Sequence, residues 1–149
     1  MDYIKEAEKK LHYYRILHQS IEQMDREISR LVARAGPKNL SAMVLDESGI
    51  RGAGVDETVN LLFQIDQLQT SKEETARELA DVDKLLDTIS TENKRYGPLL
   101  RAWYIEQKSK EVIAEELGYS GFRSVYTLKN EAIRRFAVLL FGIKAWRAV

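Results

Sequence analysis

Apolar residues recur in steps of three and four from the start of the chain: Ile4, Ala7, Leu11, Tyr14, Leu17, Ile21, Met24, Ile28, Leu31 and Ala35. Steps of that size place side chains on one stripe of a helix, so the pattern predicts a single helix over 3–35. At 1.5 Å per residue it would run roughly 50 Å. Gly36-Pro37 supplies the stop, a residue that tolerates a left-handed backbone followed by one that cannot continue a helix. Residues 36–55 then form a long connection. The segment Ser48–Gly54 holds three glycines and does not favour a helix. Within it, Leu40–Leu45 is read as a short helical turn.

Periodicity returns at Asp56, which can cap a second helix reaching to about Asn93. Leu61, Ile65, Leu68, Leu79, Val82, Leu86 and Ile89 fall on heptad a and d positions, with Lys72 and Thr75 diluting the middle of the seam. Two long helices joined by a connection predict an all-α chain that begins with a coiled-coil-like antiparallel helical hairpin, residues 1–93. Two narrow stripes bury only a thin core, and a thin core calls for further partners. The hairpin is therefore expected to form a homodimer or to pack on another protein, or else to pack only on the chain's own C-terminal domain.

After Tyr96-Gly97-Pro98 the pattern shortens. Pro98 suits the first turn of a helix that carries Leu100, Trp103 and Tyr104 and ends near Glu106–Lys108. Ser109 can cap a helix over Lys110–Leu117 with Ile113, Ala114 and Leu117 facing inward. Gly118 makes the turn, a last long helix covers about Gly121–Phe141, and Gly142 closes it. The second domain is thus residues 96–149. The tail VLLFGIKAW carries Val138, Phe141, Ile143 and Trp146, which are expected to cover this small domain or else to contact the hairpin, a second subunit or polymerase.

Charge sharpens the division. The chain has 149 residues, no cysteine and zero formal net charge. Residues 1–93 hold 12 basic and 18 acidic residues, a balance of −6; residues 94–149 hold 11 and 5, a balance of +6. Salt screens charges beyond about 8–10 Å, so the two parts act separately. A basic module beside an acidic one points to nucleic acid.

On the last helix, with about 100° per residue and Val125 at the origin, Leu128, Ala132, Phe136 and Leu139 fall on the inner side. Arg123, Thr127, Asn130 and Arg134 fall opposite. These are types that bond to bases and phosphates: Arg grips a guanine edge with two bonds, and Asn does the same with adenine. Arg135, Lys108 and Lys110 flank that face as phosphate contacts. Ala114 followed by Gly118 allows the close helix crossing. An Ala-x-x-x-Gly spacing and exposed arginines are each common in proteins of any function; together, and on a basic half-chain, they favour DNA binding.

The run LLRAWYIEQKSKEVIAEELGYSGFRSVYTLKNEAIRRF resembles region four of bacterial sigma factors. More closely, it resembles the small phage-encoded transcriptional regulators of the RinA and ArpU kind. The elements that carry the resemblance are Tyr104-Ile105 before the turn, Ile113-Ala114, Leu117-Gly118-Tyr119-Ser120, and Ser124-Val125-Tyr126 entering the recognition helix. Ser124 joins the candidate DNA contacts. The likeness covers residues 98–141; for 1–93 it is architectural only. It implies control of phage or prophage late genes through promoter DNA and host RNA polymerase, in a bacterial cytoplasm. Counted from Ala114, Val125 stands one residue later than the usual apolar position. Ser120-Gly121-Phe122 thus holds one extra residue, which Gly121 is expected to absorb. The alternative is a phage DNA-packaging or other coiled-coil assembly protein that carries a helix-turn-helix.

Other features point away from chemistry. His12 and His18 are six apart and face different ways on a helix, so no metal site is expected. GIRGAG, Gly49–Gly54, lacks the Lys-Ser/Thr of a phosphate loop and follows no strand. No Ser/His/Asp set, HExxH or carboxylate pair is present, so neither an enzyme nor a cofactor is expected. The apolar run Ala137–Phe141, even with Phe136 before it, is too short to span a bilayer.

Overall fold

The computed structural model describes residues 1–36 and 53–148, with side chains from 56 onward in the second stretch. All regular structure among these residues is helical: α1 is Tyr3–Ala35, α2 Ala53–Glu92, α3 Tyr96–Leu100, α4 Lys110–Leu117, α5 Phe122–Phe141 and α6 Ile143–Ala148. A π-helical turn, Arg101–Ile105, continues α3. No described helix is long and apolar enough to cross a membrane. The expected turn at Leu40–Leu45 lies outside the described residues, as does most of the 36–55 connection.

The first helix ends where its sequence says it should, with Gly36 at φ 73°. The second starts earlier than expected. Asp56 lies within its first turn rather than capping it, and Gly54 is helical too. A helix that gains its stability from a packed seam can carry one glycine near its end at a cost of about 1 kcal/mol.

The chain divides into two compact units: Met1–Leu17 with Glu78–Val149, and His18–Arg77. This differs from the division at 93–96 read from charge and turn residues. The cause is visible in the first unit, where Ala7 and Leu11 of α1 and Val82, Leu86 and Ile89 of α2 share one buried cluster with Leu100, Tyr104, Ala132, Phe136 and Ala145. The short C-terminal helices thus use the long ones as a wall of their core. Tyr3 adds a ring contact to Phe141, 5.2 Å between centroids.

Polar side chains fix how the elements of this unit meet. Asp83 Oδ1 accepts from Tyr14 Oη and from Arg101 Nη2, each at 2.8 Å. Tyr104, itself buried, donates to Glu8 Oε2 at 2.8 Å. Lys10 pairs with Glu78 at 2.8 Å. Between α2 and α3, the Gly97 N–H donates to Ser90 Oγ at 3.1 Å, and that hydroxyl donates to the Leu86 carbonyl at 2.8 Å.

A second buried cluster holds Leu99, Ala102, Ile113, Ala114, Val125 and Leu128, which seats α4 and α5 on α3. Trp103 and Tyr96 pack against both clusters and so join them.

The second unit is simpler. Leu31 and Ala35 of α1 meet Leu61 of α2, with Ile65 and Leu68 partly buried beside them. Arg34 pairs with Glu57 at 3.1 Å and Lys72 with Asp25 at 2.5 Å. Lys72, a polar residue on an apolar heptad position, is accommodated by that acid and by its own aliphatic stem.

Candidate nucleic-acid interface

Residues 101–122 shape the local geometry. The π turn ends with the Glu106 N–H donating to the Arg101 carbonyl at 2.8 Å, and the Lys108 N–H reaches the Ala102 carbonyl at 2.9 Å. Gln107 adopts φ 54°, a left-handed conformation that costs a non-glycine residue free energy. The kink turns the chain into α4. There Ser109 is the N-cap, its Oγ accepting from the Val112 N–H at 3.3 Å. Ile113 and Ala114 face the core.

Gly118 ends α4 at φ 78°, and the Tyr119 N–H returns to the Ala114 carbonyl at 2.8 Å. The left-handed backbone explains a glycine here. Residues 118–121 form the turn. Gly121 caps α5 with an extended backbone, φ −156° and ψ 164°, open to any residue. The extra residue of the turn is thus taken up in extended chain rather than by glycine's special freedom.

Helix α5 has two faces. Val125, Leu128, Ala132, Ile133, Phe136 and Ala137 are buried. Arg123, Ser124, Thr127, Asn130 and Arg134 are exposed. Leu139, expected inside, is 41% exposed. Its neighbours Val138, Leu140 and Phe141 are the residues that pack against the first cluster there. Thr127 donates its hydroxyl to the Arg123 carbonyl at 3.2 Å, leaving its oxygen as an acceptor toward a ligand.

The three flanking cations are engaged. Lys108 Nζ lies 2.8 Å from Glu106 and 2.9 Å from Glu116, and its hydrogen bonds to Glu106 and then Glu116 hold the ammonium above the usual lysine range. Lys110 Nζ lies 4.6 Å from the Phe122 ring centre and 5.9 Å from that of Tyr126. Arg135 is 3.8 Å from Glu92 and sits 5.8 Å from the Trp146 ring centre. With Arg134, it lines a surface groove of about 470 Å³ whose other walls are Tyr96, Glu131, Val138 and Trp146.

Sequence reasoning passed over an aromatic group on the same side of the domain. Trp103 and Tyr126 meet edge to face at 5.2 Å, and Lys129 Nζ lies 5.0 Å from the Trp103 ring centre. The available signal was Phe122 and Tyr126 at i and i+4, which puts two rings one above the other on a helix. In the apolar tail, Ala145 is buried while Ile143 and Trp146 stand exposed.

No cluster of three or more His, Cys, Asp or Glu able to hold a metal ion exists among the described residues. Comparison of the chain with protein-family models, with curated proteins and with solved structures returns no match.

Proposed function

We propose that this protein is a sequence-specific DNA-binding regulator of transcription, and that α5 enters the major groove. The observation that carries this reading is the division of α5. One side is sealed into two cores, while Arg123, Ser124, Thr127, Asn130 and Arg134 present donors and acceptors to solvent. A helix held rigidly from behind and polar in front meets the geometric need of groove reading. Among the described residues, Arg123 and Arg134 have no acidic partner, so their charge is available to bases or phosphates. The sigma-like resemblance of residues 98–141 extends the proposal to phage or prophage late genes and to host RNA polymerase as a partner. The thin core of the second unit, Leu31, Ala35 and Leu61, supports pairing of two chains through α1 and α2.

The test is selection of the full chain against a random duplex library at near-physiological salt. A recovered motif, two-fold if the protein is a dimer, is the expected result. The Arg123→Ala, Arg134→Ala double variant should lose tenfold or more in affinity, an order-of-magnitude figure for two lost contacts, with helicity unchanged. Retention of affinity by that variant would overturn the proposed face. A ring of many subunits in solution would shift the reading to a packaging or assembly role.

A further inference from the structure

The geometry points to a specificity element that the polar face does not contain: we propose that the Phe122 and Tyr126 rings read thymine, taking its 5-methyl group in the major groove. This assignment rests on α5 meeting DNA as above.

Phe122 and Tyr126 are 46% and 40% exposed at the start of α5. With Val125 at the origin, they lie at about 60° and 100°, and Asn130 and Arg123 continue the arc at about 140° and 160°. The rings therefore form the border of the polar face, in the helix turns that enter a groove first. Two half-exposed rings one helical turn apart form a short apolar strip along that border.

The surroundings of the rings narrow what can cover that strip. Lys110 lies over both rings, and Lys129 lies over Trp103, which braces Tyr126. Two ammonium groups at the edge of an apolar strip suit a ligand that is apolar at its centre and anionic at its rim. An apolar protein surface, by contrast, would desolvate both ammonium groups without pairing them. Duplex DNA has that pattern, and the thymine methyl is the apolar group in its major groove. Two positions four residues apart on a helix are spaced by about 6 Å, close to two base steps of about 3.4 Å. Asn130, on the same arc, is suited to adenine. Together these residues would favour a stretch containing T·A pairs. Tyr126 is held against Trp103 before binding, so that ring loses little freedom when the methyl arrives.

The experiment uses the strongest-binding duplex from the selection, synthesised once with thymine and once with deoxyuridine throughout. The two differ only in the methyl groups. The full-length protein is expected to bind the thymine form about fourfold more tightly for each methyl it covers. In the Phe122→Ala, Tyr126→Ala double variant the two forms should bind equally. Tyr126→Phe, which keeps the ring, should retain the preference. Phe122→Ala alone, at an exposed site, should halve the effect on a logarithmic scale even where the double variant folds poorly.

Equal binding of both duplexes by the unaltered protein overturns the proposal while leaving DNA binding intact. A preference that survives both alanine variants also overturns it, because the methyl is then read elsewhere. Failure to recover or bind any duplex overturns the DNA reading itself, and this assignment with it.

Discussion

Gly97 and Ser90 touch where α2 hands over to α3, the Gly97 N–H donating to Ser90 Oγ at 3.1 Å. A side chain at 97 would run into that hydroxyl and would approach the Leu86 carbonyl to 3.0 Å. Carbonyl and helix cannot both yield without shifting Leu86, which is 1% exposed. Gly97→Ala should therefore destabilise the protein by about 2 kcal/mol through overpacking. Urea denaturation would show a lower midpoint with an unchanged slope. Adding Ser90→Ala should recover part of the loss, since it removes the nearer obstacle. Additive losses in the double variant would contradict this account.

A second expectation concerns alkaline pH. Burial, and next the hydrogen bond to the Glu8 carboxylate, push the Tyr104 hydroxyl far above the ordinary tyrosine range. Burial raises Tyr14 and Tyr96 in the same direction, aided by Asp83 and Glu131 respectively. A phenol ionises near pH 10 in the unfolded chain. Its contribution is thus fully present below about pH 10 and is lost as pH climbs toward the folded value. The buried Tyr104 steepens the loss by up to about 1.4 kcal/mol per pH unit, and the more exposed Tyr14 and Tyr96 contribute less because water screens them. Stability should hold flat from these groups through pH 9 and fall above 10. Tyr104→Phe should make the alkaline limb shallower while costing about 1 kcal/mol near neutrality. A limb of unchanged steepness in that variant would exclude Tyr104 as a source.

Asp83 offers a third test. One carboxylate oxygen receives both Tyr14 and Arg101. Its removal takes away an acceptor shared by α1 and the π turn. The Arg101 and Asp83 side chains are 33% and 42% exposed, so water softens the effect. Asp83→Ala is expected to cost about 1–2 kcal/mol. Asp83→Asn, which keeps an oxygen but not the charge, should cost less. Thermal unfolding of the two variants side by side would show whether this order holds.

The flanking cations differ from the outer face in a way that salt titration can read. Lys108 is already shared between Glu106 and Glu116, so Lys108→Met should leave DNA affinity within about twofold and the salt slope unchanged. Arg134 has no such partner among the described residues. If it meets a phosphate, Arg134→Ala should lower the magnitude of the slope by about one unit. A larger slope change for Lys108 than for Arg134 would reverse these assignments.

The long helices were legible because a thirty-residue stripe repeats its signal ten times over, and the buried apolar positions described in α1 and α2 are among those the spacing named; the buried Thr58 is not. The Ser109 cap and the Gly118 turn were legible for a different reason: each has one residue type with one local job. Leu139 was misjudged because periodicity gives a direction and not the length of the surface that faces it. The ion pairs of Lys108 were not legible because its two acids come from either side in sequence, at 106 and 116, and only the chain's kink brings them together. The π turn left no trace in the pattern, since five residues are too few to reveal a change of period. The division into units was hidden too. Charge composition records what each stretch is made of, and it is silent on which distant stretch completes its core.

That last feature has a consequence in time. The cluster that seats α5 includes Ala7 near one end of the chain and Ala145 near the other. A core that joins such remote positions must close long stretches of chain and so forms more slowly than a locally connected one. During synthesis, Ala7 and Leu11 leave the ribosome long before the residues they will be buried with. The first turns of α1 must wait, amphipathic and unpaired, at least until Val82, Leu86 and Ile89 of α2 emerge, and their cluster is complete only with Ala145. In that interval the nascent chain is most exposed to chaperones, to proteases and to other copies of itself.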